Sequence, residues 1–227
     1  MNDAVEDEGA ADTADVPRTV VHLLRHGEVH NPDRILYGRL PGYRLSDLGA
    51  QMARMVADHL ADHDITHVLA SPLQRAQETA APVAAAHGLT VETDERATEA
   101  WSEFEGMAVA GGKGLLRHPR MFRKMLNPAL PSWGEHYDVL AARMAEAVAD
   151  ARRVGQGHEV VLVSHQAPIW VFRLATEGRR FLHNPAHREC ALASLTSLTY
   201  VGEDLLSLSY SQPAAALVAL AHPGAGA

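Results

Sequence analysis

Much that would narrow the function of this 227-residue chain is missing from it. It has one cysteine, Cys190, so no disulfide can form within it and a reducing, cytoplasmic setting is expected. No apolar run comes near the roughly 20 residues a membrane-spanning helix needs. The first 16 residues, MNDAVEDEGAADTADV, lack the basic flank and apolar centre of a secretion signal. Lysine is nearly absent, at 2 against 18 arginines, and the net charge of −8 offers no basic surplus for a nucleic-acid groove.

The negative charge is unevenly spread. Asp3, Glu6, Asp7, Glu8, Asp12 and Asp15 precede the first basic residue, Arg18, which leaves −2 for everything after them. Residues 1–16 are therefore expected to be a disordered acidic tail. The small-residue stretch over 213–227 reads as a flexible C-terminal tail. Between them, 17–212 is long enough to bury a sizeable core as one domain, and no internal repeat divides it.

What is present is an alternation of short apolar strands and amphipathic helices. RTVVHLL (18–24), THVLA (66–70) and EVVLV (159–163) read as buried strands, with TVETD a further candidate. Leu48, Met52, Met55, Val56, His59 and Leu60 recur at helical spacing behind a capping Ser46. Ser71-Pro72-Leu73-Gln74 has the form of a cap, a proline at the first helical position and a closing Gln, for a helix running to His87-Gly88. Residues 98–133 lack periodicity, apart from an expected short helix near Pro119–Leu126. A long helix follows Gly134, another follows Pro168, and two strands flanking Gly202-Glu203 predict a closing hairpin. The fold class expected is α/β: a three-layer α/β/α sandwich with a mostly parallel central sheet.

Three of the strands end in chemistry. Arg25-His26 follows the first, Arg75 lies one turn beyond the second, and Ser164-His165 follows the third. In open α/β sheets ligands gather outside the carboxyl ends of the strands, so two guanidiniums and two imidazoles should converge there. Such a cluster repels itself unless an anion occupies it, and guanidinium forks match tetrahedral oxyanions. A phosphoryl group is the natural occupant.

These segments, Leu24-Arg25-His26-Gly27-Glu28, Ser71-Pro72-Leu73-Gln74-Arg75-Ala76-Gln77-Glu78-Thr79 and Ser164-His165, resemble the signatures of the histidine phosphatase superfamily, in the family's order and across nearly the whole domain. That clan includes the cofactor-dependent phosphoglycerate mutases and many small phosphatases. The resemblance implies a phosphoglycerate mutase-like fold with His26 as the nucleophile that becomes phosphohistidine. Arg25, Arg75 and His165 would hold the phosphoryl oxygens, and no metal or other cofactor would be required. It also implies a carboxylic acid in a segment like L-x-E-x-x-x-G-x-x-E-G. Anchoring on Glu105-Gly106 puts that acid at Thr98, so a single-residue deletion is needed to reach Glu99; Glu103 and Glu105 stay open as alternatives. Asn31 comes five residues after the nucleophile where the family often has a phosphate-binding Asn at six, and Gln166 replaces the family's usual Gly after the second His.

The reading is a metal-independent phosphomonoesterase acting on a small phosphorylated metabolite, with no nucleic-acid or membrane partner and with a homodimer left open. Two alternatives compete: phosphoglycerate mutase-type phosphoryl transfer, and a non-catalytic phosphate-binding module. A histidine-ligated metal hydrolase ranks below both. Mutases of the family carry paired arginines for a carboxylate in a longer insertion, whereas Arg152-Arg153 here fall in a helix tail. Trp101, Trp133 and Trp170 read as packing residues. The acid-free stretch 111–126, with Lys113, Arg117, Arg120, Arg123 and Lys124, is either a solvated face or a flap gripping a second anionic group.

Overall fold

A computed structural model describes residues 16–108, 134–182 and 187–221. Six strands form one sheet: β1 (Arg18–Arg25), β2 (Ile65–Ala70), β3 (Val91–Thr93), β4 (Glu159–Ser164), β5 (Leu195–Val201) and β6 (Asp204–Ser211), in the order β3-β2-β4-β1-β5-β6. β4 lies at the centre, parallel to both β1 and β2, and β2 is parallel to β3. Its unbroken apolar run Val160–Val163 suits a strand covered on both faces, and all four residues are fully buried. The hairpin β5–β6 closes the sheet antiparallel to β1, so the sheet is mixed while mostly parallel.

Side chains alternate across each strand and sort into two cores. Leu24, Val161 and Val163 face α1 (Asp47–Leu60) and α2 (Gln74–Ala86), meeting Met52, Val56, Leu60, Ala80 and Val83. Val21, Leu23, Val160 and Leu162 face the other layer, α3 (Tyr137–Val154) and α4 (Gln166–Thr176), through Met144, Val148, Ile169 and Phe172. The three-layer α/β/α architecture is thus as expected. Among the described residues no helix is long and apolar enough to cross a membrane.

Ser46 caps α1, its Oγ accepting the Gly49 N–H at 3.0 Å. α2 departs from expectation: it begins at Gln74 with Leu73 as a cap residue lacking a side-chain bond, so Pro72 lies outside the helix. α4 begins at Gln166, two residues before Pro168, which falls in the first turn where its missing N–H removes no helical hydrogen bond. Past residue 212, where a loose tail was expected, α5 (Ala215–Val218) forms one helical turn. There Ala214 is buried, and Leu217, Val218 and Ala221 pack on the first core. The basic stretch 111–126 and the helix expected near residues 119–126 lie outside the described residues.

Candidate active site

The carboxyl ends of β1, β2 and β4 lie side by side, Arg25 being in register with Ser164 and Ala70 with Val163. His26 leaves β1 and His165 leaves β4, both wholly buried, with ring centroids 5.1 Å apart. The Nδ1 of His26 lies 2.8 Å from its neighbour Gly27's carbonyl oxygen, an acceptor only, so Nδ1 carries the proton. Nε2 is then the nitrogen with the lone pair, and it has no hydrogen-bond partner among the described residues. Burial, then Arg75 and Arg25, hold the ring well below the ordinary histidine pKa, which favours its neutral form.

His165 is set up in the opposite sense. Its Nε2 lies 2.8 Å from Ser71 Oγ, and that oxygen also accepts the Leu73 N–H at 3.3 Å. In the tautomer where the Ser71 hydroxyl donates to Nε2, the proton sits on His165 Nδ1, which is buried and has no hydrogen-bond partner among the described residues. Burial, then Arg75, also keeps this ring's pKa well below the ordinary value. One imidazole thus offers a lone pair, and its neighbour, in that tautomer, an N–H.

Two guanidiniums flank them. Arg75 is 1% exposed, donates through NH2 to the Gly38 carbonyl at 2.7 Å and sits 4.7 Å above the Tyr37 ring. Arg25 is buried and donates to the Cys190 carbonyl at 2.7 Å. α4 starts at the same place, with His165 as its cap residue making no side-chain capping bond. A helix N-terminus without side-chain capping adds partial positive charge facing an anion.

The three carboxyls left open by the sequence separate by environment. Glu99 is 2% exposed; its Oε1 accepts the Ala100 N–H at 2.8 Å while Oε2 is buried with no hydrogen-bond partner among the described residues. Burial raises its pKa against the pull of Arg75, so it tends to hold its proton. Glu103 is exposed, and Glu105 serves the loop, its Oε1 accepting N–H groups of Arg39 and Ser102. Glu99 is held in place by backbone contacts: Arg39 Nε donates to its carbonyl at 2.6 Å, and Ser164 Oγ donates to the Ala97 carbonyl at 2.6 Å.

Each signature residue has a task. Gly27 lies against α1, where a Cβ would come within 2.6 Å of the Gly49 carbonyl oxygen, and Glu28 accepts the Ser46 hydroxyl. Thr79 Oγ1 accepts the Gly27 N–H, Glu78 accepts the Leu45 N–H, and Gln77 donates to the Ala70 and Ser71 carbonyls. Asn31 spends both ends of its amide on the Ile35 backbone, which closes a loop turn and is not the use expected of a phosphate ligand. Gln166 Nε2 reaches the Cys190 carbonyl at 3.4 Å, and its Oε1 lies 3.4 Å from Arg188 NH1. Arg152 and Arg153 sit at the C-terminal end of α3, at the opposite edge of the sheet, engaged with Glu203 and Asp150.

Sequence reasoning missed Tyr37 and Arg188. Tyr37 is buried beneath Arg75 and edge-on to His26 at 6.4 Å; an aromatic ring inside a Pro/Gly-rich loop was the available signal. Arg188 contributes to the electrostatics of Glu99 and carries no local signature. Trp101, expected to pack, is 46% exposed two residues from Glu99.

Two buried imidazoles and two buried guanidiniums at strand ends, beside a buried carboxyl whose pKa is raised, fit phosphoryl transfer. The histidine phosphatase superfamily (branch 1) model matches residues 21–212. The chain belongs to that superfamily. A Mycobacterium tuberculosis relative named Uncharacterized protein Rv0525 is 59% identical over 197 residues, 87% of this chain and 98% of the relative. A probable phosphoglycerate mutase GpmB from Yersinia pestis is 32% identical over 154 residues, 64% of this chain and 68% of the relative. Among solved structures, the mycobacterial glucosyl-3-phosphoglycerate phosphatase Rv2419c superposes with a TM-score of 0.67 at 26% identity, covering 86% of this chain and 96% of that one. Superfamily and neighbours, largely phosphatases, support phosphatase activity in general.

Proposed function

We propose that this chain is a metal-independent phosphomonoesterase working through a phosphohistidine on His26. Nε2 of His26 attacks phosphorus; the ester P–O bond breaks, and its electron pair leaves on the ester oxygen, which takes the proton of Glu99. Arg25, Arg75 and the Nδ1–H of His165 hold the three non-bridging oxygens and offset charge in a loose transition state. The Glu99 carboxylate then accepts a proton from water as the water oxygen attacks phosphorus. The N–P bond breaks with its pair returning to Nε2, and inorganic phosphate leaves.

The observation that carries this reading is the His26 ring, with Nδ1 tied to Gly27 and Nε2 unpartnered among buried cations. A small phosphorylated metabolite is the proposed substrate. The test is a panel of phosphometabolites assayed without added metal. Wild type should release phosphate from at least one, and His26→Ala should lose at least about 10³-fold in turnover, as removal of a covalent nucleophile does.

Mutase-type transfer is the second reading, favoured by the likeness to the Yersinia protein. Against it, Arg152 and Arg153 are engaged with Glu203 and Asp150 at the C-terminal end of α3, away from His26. Stimulation of 3-phosphoglycerate isomerisation by bisphosphoglycerate would establish it over hydrolysis.

A further inference from the structure

At the opposite edge of the sheet from His26, three side chains that take no part in the phosphoryl site meet. His22 lies on β1, Glu159 opens β4 and His63 sits in the turn after α1. Glu159 Oε2 is 2.7 Å from His22 Nε2 and 2.8 Å from His63 Nδ1, and one donor atom from each of the three falls within 4.8 Å of the others. His63 precedes β2, whose other end reaches the phosphoryl site, and along β1 His22 and His26 are four residues, about 13 Å, apart.

We propose that His22 Nε2, His63 Nδ1 and Glu159 Oε2 form a site for one divalent ion of the zinc class, with a structural role. Two imidazoles and a carboxylate are the donor set that borderline divalent ions such as Zn²⁺ prefer. Tetrahedral coordination with bonds near 2.1 Å places donors about 3.4 Å apart, so each ring opens from the carboxylate by about 0.7 Å while the two ring nitrogens, within 4.8 Å of each other, settle at the same spacing.

Three features make this more than a polar link. His22 Nδ1 is 2.7 Å from Ser197 Oγ, an outer partner of the kind that orients a ligating imidazole and leaves its other nitrogen for the ion. The loop carrying His63 is fixed: its N–H bonds the Leu60 carbonyl, its carbonyl accepts from His87 Nε2, and the adjacent Asp64 carbonyl accepts the Glu159 N–H at 3.0 Å. His22 is buried while the His63 side chain is 37% exposed, which gives the ion an entry path and water as a fourth ligand.

The test is titration of the full chain with Co²⁺, followed by its visible d–d absorption, and with Zn²⁺, followed by thermal melting. One equivalent of Co²⁺ should give tetrahedral-type bands, and Zn²⁺ should raise the melting temperature. His63→Ala, in a half-exposed turn, should abolish both responses while leaving phosphatase turnover unchanged, and Ser197→Ala should weaken binding 10–100-fold, as loss of an outer partner does. His26→Ala should bind as wild type. Retention of binding in His63→Ala, its loss in His26→Ala, or no response in wild type overturns the proposal.

Discussion

In the proposed mechanism Glu99 is where catalysis and stability pull against each other. Burial raises its pKa above that in the unfolded chain, so its contribution to stability is complete below the unfolded value and is lost as pH climbs through the folded one. At neutral pH it therefore costs stability. Glu99→Gln should raise the melting temperature by a few degrees at pH 7, read by calorimetry, while lowering kcat by about 10²–10⁴, the usual worth of a general acid. The pH profile follows from the same shifts. Activity falls on the acid side as His26 gains a proton below the ordinary histidine range, and on the alkaline side as Glu99 loses one above the ordinary carboxylate range. An acidic optimum is expected, and Glu99→Gln should erase the alkaline limb of kcat. A limb that persists in that variant belongs to another group.

At the scale of elements, the strand ends and the layers were legible in the sequence because apolar runs and helical spacing report burial directly. Arg25, His26, Arg75 and His165 were placed by those same strand ends. The start of α2 was misread because Ser71, which looks like a helix cap, turns its hydroxyl to His165 instead. The proton donor stayed ambiguous because spacing could not report that Glu99 alone of the three carboxyls is fully enclosed. Tyr37 and Arg188 reach the site from loops whose paths no local pattern encodes. The contact of the His26 loop with α1 yields a sharp expectation. A Cβ on Gly49 would lie 2.0 Å from the Glu28 carbonyl oxygen. Gly49→Ala must displace the backbone after the nucleophile, so turnover should drop by at least about tenfold, with stability falling by 1–3 kcal/mol, as overpacking does. Urea unfolding and steady-state kinetics read both, and an unaltered kcat would show that the two backbones need not touch.

For the whole molecule, one sheet carries both proposed sites: the carboxyl ends of its inner strands bring His26 and His165 together, and His22 on β1 meets Glu159 and His63 towards their amino ends. The C-terminal segment belongs to this body, since Leu217, Val218 and Ala221 close over the first core. Truncation after residue 212 should lower the melting temperature by about 4–8 °C, as expected for loss of about 2 kcal/mol of apolar burial, while the carboxyl-edge site keeps its kcat. The central claim is that His26 Nε2 carries the phosphoryl group between substrate and water. Rapid quenching during turnover of the best substrate, followed by mass spectrometry of the denatured chain, tests it most directly. An acid-labile, base-stable phosphate should appear on His26 and be absent from His26→Ala; turnover with no phosphoenzyme, or with the phosphate on His165, rules the His26 intermediate out.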